Sequence, residues 1–235
     1  MPRQRLILLA IAVAVAAVAV VAVVVFVGTG NGSSSDSAAT TSSTGSGNQE
    51  SALKGVPQSG LRLGKATAPA TLYVFEDPQC PYCRQWSLDS VPATVDEFVK
   101  TGKINMVLQP VEAIGQGSEP GVRAVYAAAK QNRAWNMLEA LYQRQGAEQS
   151  GWITNDVIKS SAKEAGADPS AVLGALNSAA VTNQWRTIQQ RAQQIGVRAT
   201  PTFALQRQLG TLQQVNPNSL EPTDFNDALR AALQQ

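Results

Sequence analysis

Histidine is absent from all 235 residues, and only two cysteines occur, Cys80 and Cys83. These absences are restrictive. A closed zinc site takes about four Cys or His ligands, so two thiols without an imidazole build none, and no metal centre is expected. Ser-His-Asp and Cys-His catalysis lack their base. A lone Cys-x-x-Cys leaves dithiol–disulfide chemistry, where the sulfurs need only each other and a substrate thiol. That chemistry calls for no cofactor beyond the Cys80–Cys83 disulfide itself.

Charge of one sign is also missing. The formal net charge is +2; without Arg3 and Arg5, 17 Lys and Arg stand against 17 Asp and Glu. A nucleic-acid binder carries a basic surplus or cluster, and neither is present.

What the chain does have begins at its N-terminus. After residues 1–5, a short cytoplasmic N-terminus, Leu6 to Val27 carry no charged or polar side chain. Those residues span roughly 33 Å as a helix, enough for a bilayer core of about 30 Å and longer than the apolar part of a cleaved signal peptide. Residues 6–27 are therefore expected to be a single transmembrane anchor. Arg3 and Arg5 hold the N-terminus inside, so the rest of the chain is expected on the extracytoplasmic side of the cell membrane, where disulfides persist. Residues 28–50 contain no large apolar residue, and such a segment cannot offset its ordering entropy. Residues 28–58 read as a flexible linker, and 59–235 as the folded domain.

Within that domain, Thr71–Phe75 is β-branched and aromatic and predicts a buried strand. A helix-like stretch follows from Cys83 to Lys100, kinked at Pro92, and Lys103–Leu108 predicts a second strand. Such a β-α-β unit makes a right-handed crossover between parallel strands. From about 113 to 197 the spacing is helical, with helices near 121–131, 134–146, 154–165, 169–177 and 181–195. Thr154 and Asp168 are expected N-caps, the latter before Pro169. Trp135, Tyr142, Trp152 and Trp185 read as packing residues. Residues 202–205 and 209–212 predict a hairpin, and Thr223 caps a terminal helix over 224–233.

Cys80-Pro81-Tyr82-Cys83 thus stands where a strand gives way to a helix. The first N–H groups of a helix are unsatisfied and its dipole is positive there, so a thiolate at Cys80 is stabilised. In comparable motifs the thiol pKa falls to about 3.5–7.5. Pro81 suits the first helical turn, and Cys83 lies one turn on, where it can close the disulfide. A purely structural disulfide closing so small a loop contributes little stability. Cys80 is expected to be the exposed thiol and Cys83 the inward one.

The segments EDPQCPYCRQW and GVRATPTF, separated by a long helical region, resemble the DsbA family of thioredoxin-fold oxidoreductases, membrane-anchored bacterial members above all. The resemblance covers roughly residues 59–235. It implies an α/β fold: a thioredoxin-like core with an inserted helical subdomain, here preceded by one transmembrane helix. By match to the motif, Cys80 is the attacking thiol and Cys83 the resolving one, Pro81 and Tyr82 tune them, and Thr200-Pro201 is a cis-proline loop that binds substrate backbone. The implied partners are cysteine-containing exported proteins and a membrane reoxidase of the DsbB or vitamin K epoxide reductase type. Two departures stand out. Tyr82 replaces the histidine of the archetypal motif, and Val74 occupies the position, six residues before the first cysteine, where relatives often carry a buried acid. Glu76 and Asp77 read as solvated loop positions, which leaves the proton of Cys83 to water or to an unassigned group.

The leading expectation is an exported oxidase. A disulfide isomerase or reductase using the same site is the alternative, and a redox-inactive membrane-anchored chaperone or docking module is a third.

Overall fold

Alternation of buried and half-buried residues marks Ala70–Glu76 as a strand, with Leu72 and Val74 fully buried on one face. It lies at the centre of a six-stranded sheet. The computed structural model describes residues 52–208 and 210–235. The strands are β1 (Gln58–Ser59), β2 (Arg62–Leu63), β3 (Ala70–Glu76), β4 (Ile104–Pro110), β5 (Thr202–Arg207) and β6 (Gln213–Val215), in spatial order β1-β2-β4-β3-β5-β6. β3 pairs with β4 in parallel, Val74 opposite Leu108, and with β5 antiparallel, Val74 opposite Phe203.

The crossover from β3 to β4 carries helices α1 (Pro81–Asp89) and α2 (Val91–Thr94), then a π-helical turn at Val95–Val99. The helix expected from Cys83 to Lys100 is therefore divided. Pro92 has no N–H to donate, and it stands in the first turn of α2, where none is needed. Trp86 of α1 and Phe203 of β5 pack with Phe225 of the last helix, ring centroids 4.7–5.2 Å apart, closing one side of the core.

Between β4 and β5 the chain forms a helical insertion: a short 3-10 turn at Gln116–Ser118, then α3 (Glu119–Ala129), α4 (Ala134–Gln143), α5 (Asn155–Glu164), α6 (Pro169–Ala175) and α7 (Ala179–Gln194). Thr154 caps α5 by accepting from the Val157 N–H, and Asp168 caps α6 by accepting from the N–H groups of Ser170 and Ala171. Ser178 caps α7 in the same way.

Three elements differ from expectation. The strand expected at 209–212 forms instead at Gln213–Val215. Leu205 pairs with Gln213, and the Gly210 N–H donates to the Arg207 carbonyl between the two strands; residue 209 lies outside the described residues. The terminal helix, α8 (Pro222–Gln234), starts before Thr223: Glu221 is its N-cap and Pro222 its first residue. The β1–β2 hairpin was not foreseen, since strands of two residues leave no periodic signal. Residues 6–27 lie outside the described part of the chain. Among the described residues no helix is long and apolar enough to cross a membrane.

Candidate active site

The sheet order assembles the site. β3 and β5 are antiparallel neighbours, so the loop leaving β3 and the loop entering β5 meet at the same end. The first carries Cys80 and the second Thr200-Pro201. The Thr200–Pro201 peptide bond is cis. The Cys80 thiol donates to the Thr200 carbonyl at 3.2 Å, across 120 residues of sequence.

Cys80 is itself the N-cap of α1, with extended backbone (φ −73°, ψ 119°), and its sulfur accepts from the Cys83 N–H at 3.4 Å. Pro81 begins the helix and Tyr82 follows, 64 % exposed. Both cysteines are thiols. Cys80 is 3 % exposed and Cys83 is fully buried, so the expected order holds while the expected exposure of Cys80 does not. Contact with the Thr200 carbonyl sets the sulfur against the incoming loop of β5 instead of leaving it free in solvent.

The two thiols are driven apart electrostatically. Cys80 is lowered to about 6: the Cys83 thiol beside it contributes most, Thr200 and the N–H groups of Cys83 and Tyr82 add to it, and burial opposes them. Cys83 is pushed well above the usual thiol range, by burial first, then by Cys80 and by the carboxyl of Glu76. In the reduced pair the proton is therefore held by Cys83 in preference to Cys80.

Glu76 overturns the sequence-based expectation. Both Glu76 and Asp77 are fully buried rather than solvated. Burial raises the Glu76 carboxyl well above the ordinary range, and the charge on Cys80 raises it further. Its Oε1 accepts from the Tyr142 hydroxyl at 3.4 Å, and its Oε2 has no protein partner. Tyr142 belongs to α4 of the insertion and also donates to the Asp77 carbonyl at 3.3 Å, so it is more than the packing residue expected. Asp77 has a different task. Its carboxylate accepts from the N–H groups of Gln79, Ala113 and Ile114, pinning the loop after β3 to the loop after β4.

A signal for Glu76 was present in the sequence. Residues two apart on a strand share a face, so Glu76 lies on the Val74 face one step closer to the cysteines. The acid expected at Val74 is displaced along the strand but stays on the same face. Tyr142 carried no such signal, because only the tertiary fold brings α4 beneath the end of β3.

Comparison with known proteins agrees with this geometry. The family model described as Thioredoxin matches residues 57–215. The probable disulfide bond formation protein D of Bacillus cereus is 34% identical over 104 residues, 43% of this chain and 48% of the relative, so this chain spans about half of that relative's length. The protein of the same description from Bacillus anthracis is 29% identical over 175 residues, 73% of this chain and 75% of the relative. Among solved structures, oxidised BdbD from Bacillus subtilis superposes with a TM-score of 0.63 at 22% identity, over 77% of this chain and 98% of that one, a likeness of fold. The chain belongs to the Thioredoxin family.

Proposed function

We propose that the chain is an extracytoplasmic oxidase that donates the Cys80–Cys83 disulfide to cysteine-containing exported proteins. Residues 6–27 hold it in the membrane through the segment that follows them. What supports this direction is the place of Cys80 at the N-cap of α1, where its sulfur accepts from the Cys83 N–H and its pKa is lowered. A stabilised thiolate exists only in the reduced form, so it favours reduction of the enzyme and makes its disulfide a better oxidant.

In the first step a substrate thiolate attacks the Cys80 sulfur. The Cys80–Cys83 bond breaks and Cys83 takes its electron pair. A thiol with a raised pKa leaves poorly as an anion, so it needs a proton. Glu76, buried beside it and protonated over a raised pH range, supplies that proton and is reprotonated from solvent. A second substrate thiolate then attacks the substrate sulfur of the mixed disulfide and expels Cys80 as a thiolate. The substrate has lost two electrons and gained a disulfide, while the enzyme holds the two electrons as Cys80 thiolate and Cys83 thiol. Thr200-Pro201, whose Thr200 carbonyl reaches Cys80, presents backbone to the substrate chain. A membrane reoxidase of the DsbB or vitamin K epoxide reductase type removes the electrons.

The test is the reduction potential of the full-length protein against glutathione. An oxidase falls toward about −120 mV. A value near about −270 mV would overturn the reading in favour of a reductase.

A further inference from the structure

Three glutamines outside the Cys-x-x-Cys motif converge on the redox loop. Two of them belong to the helical insertion. Gln145, just past the end of α4, donates from its Nε2 to the carbonyl oxygens of Pro78 (2.9 Å) and Cys80 (3.1 Å). Both acceptors are carbonyls, so the orientation of the amide is fixed by its partners. Gln79, immediately before Cys80, is 1 % exposed. Its Nε2 donates to Ser118 Oγ at 2.9 Å, and its Oε1 accepts from the Gln149 N–H at 2.7 Å. Gln149 in turn donates from Nε2 to the Ile114 carbonyl at 2.6 Å.

The surroundings are shaped for these side chains. A Cβ on Gly117 would stand 2.9 Å from Gln79 Nε2, and one on Gly115 would stand 2.6 Å from Gln149 Nε2. Gln149 itself has φ +58°, in the left-handed region that a non-glycine residue occupies at a cost. That conformation aims its N–H at Gln79. The loop behind it is held firmly as well, because Trp152 fills the space where a Gly146 side chain would be.

We propose that Gln145 is a positioning residue of the redox centre, the working end of a clamp by which the α4–α5 loop of the insertion sets the reactivity of Cys80. This deepens the redox reading of Cys80–Cys83 and rests on it. The Cys80 carbonyl is the point of leverage. It accepts both from Gln145 and from the Arg84 N–H, the first hydrogen bond of α1. Holding that peptide plane holds the N-cap, and with it the sulfur against the Cys83 N–H. When the plane swings freely, that bond is weakened on average. The thiolate loses stabilisation, while the disulfide, which bears no charge, loses none.

The experiment uses full-length Gln145→Leu, Gln145→Glu and Gln145→Lys proteins. Leu removes the donor, Glu keeps the shape but presents oxygens to the two carbonyls, and Lys retains a donor. The readouts are the pH midpoint of Cys80 thiolate absorbance and the thermal melting of the oxidised and reduced forms separately. The expected result is a midpoint raised by about half a unit in Leu and Glu, about a threefold change in the thiolate equilibrium. The reduced form should lose more thermal stability than the oxidised, and Lys should stay near the parent value. Equal losses in both forms with an unmoved midpoint would overturn the clamp and leave Gln145 a plain structural contact. Should Leu fail to fold, Glu, which matches the native shape, decides the same question. A parent protein without a measurable thiolate transition would instead overturn the redox reading itself.

Discussion

Cys80 and Cys83 are three residues apart and chemically opposite. Cys80 caps α1, faces the cis-proline loop, and is surrounded by donors that favour its anion. Cys83 lies one turn further in, away from water, and faces the carboxyl of Glu76, so its anion is disfavoured by burial and by charge. A single turn of helix therefore separates a thiol that leaves readily as an anion from one that must be handed a proton. The two halves of a disulfide are made unequal by where the helix begins and by what lies under it.

The largest expected effect comes from removing that inequality altogether. Cys80→Ser should abolish oxidation of a reduced model peptide. Cys83→Ser should abolish turnover too but leave a thiol able to form a long-lived mixed disulfide with a substrate or small disulfide. Mass spectrometry of protein incubated with oxidised glutathione checks this. A stable adduct on the Cys80→Ser variant, or none on Cys83→Ser, would reverse the assignment of roles.

Glu76→Gln sharpens the comparison from the Cys83 side. Without a proton donor under the resolving sulfur, formation of the mixed disulfide should slow by about a hundredfold at neutral pH, the lower end of the range for general acid catalysis. The pH dependence of the potential should change with it. With Cys80 near 6 and Cys83 raised, reduction takes up one proton between those values and two below pH 6. The potential then falls by about 30 mV per pH unit above the break and about 59 mV below it. Glu76 adds to the slope in the parent protein over the range where it titrates, because the Cys80 thiolate raises its pKa on reduction and so draws in further proton. In Glu76→Gln that added slope should vanish. The sign for stability follows from the lowered Cys80 value: its contribution to the folded reduced form is complete above the unfolded thiol pKa of about 8.5 and is lost as pH falls through about 6. An unchanged rate together with an unchanged slope would return the proton of Cys83 to water.

How much of this was legible beforehand depends on the range of the interactions involved. The position of Cys80 at a helix start follows from a local pattern: an apolar strand, Asp77-Pro78, then a proline after the cysteine. The caps of α5 and α6 were legible for the same reason, since a cap bonds within three residues of itself. Glu76 was half legible. Strand alternation gives its face, but its burial depends on Tyr142, 66 residues away. Gln79, Gln145 and Gln149 were not legible at all. Glutamine is ordinarily a surface residue, and these three are tied in only because the insertion folds back over the loop after β3. The strand displaced to Gln213–Val215 shows the limit in another way, because the pairing partner of Leu205 is Gln213, beyond the segment expected to pair.

The smallest expected effect concerns the exposed side of the motif. Tyr82 is the residue between Pro81 and Cys83 and is 64 % exposed, so its ring can be replaced without disturbing the core. The Tyr82 N–H already contributes to the stabilised Cys80 anion, and the side chain adds whatever a phenol at the rim can offer. An imidazole in its place can carry positive charge or donate a hydrogen bond toward the thiolate. Either acts on the reduced form and leaves the uncharged disulfide unaffected. Tyr82→His should therefore lower the Cys80 midpoint by up to about one unit and raise the potential by about 30 mV, a tenfold change in the equilibrium with glutathione. Glutathione titration of both proteins, paired with thiolate absorbance against pH, reads the two quantities independently. They must move together, since both report the same stabilised anion. A potential that rises without a fall in the thiolate midpoint would place the effect on the Cys83 side, and the contrast between the two sulfurs would then have to be redrawn around Glu76.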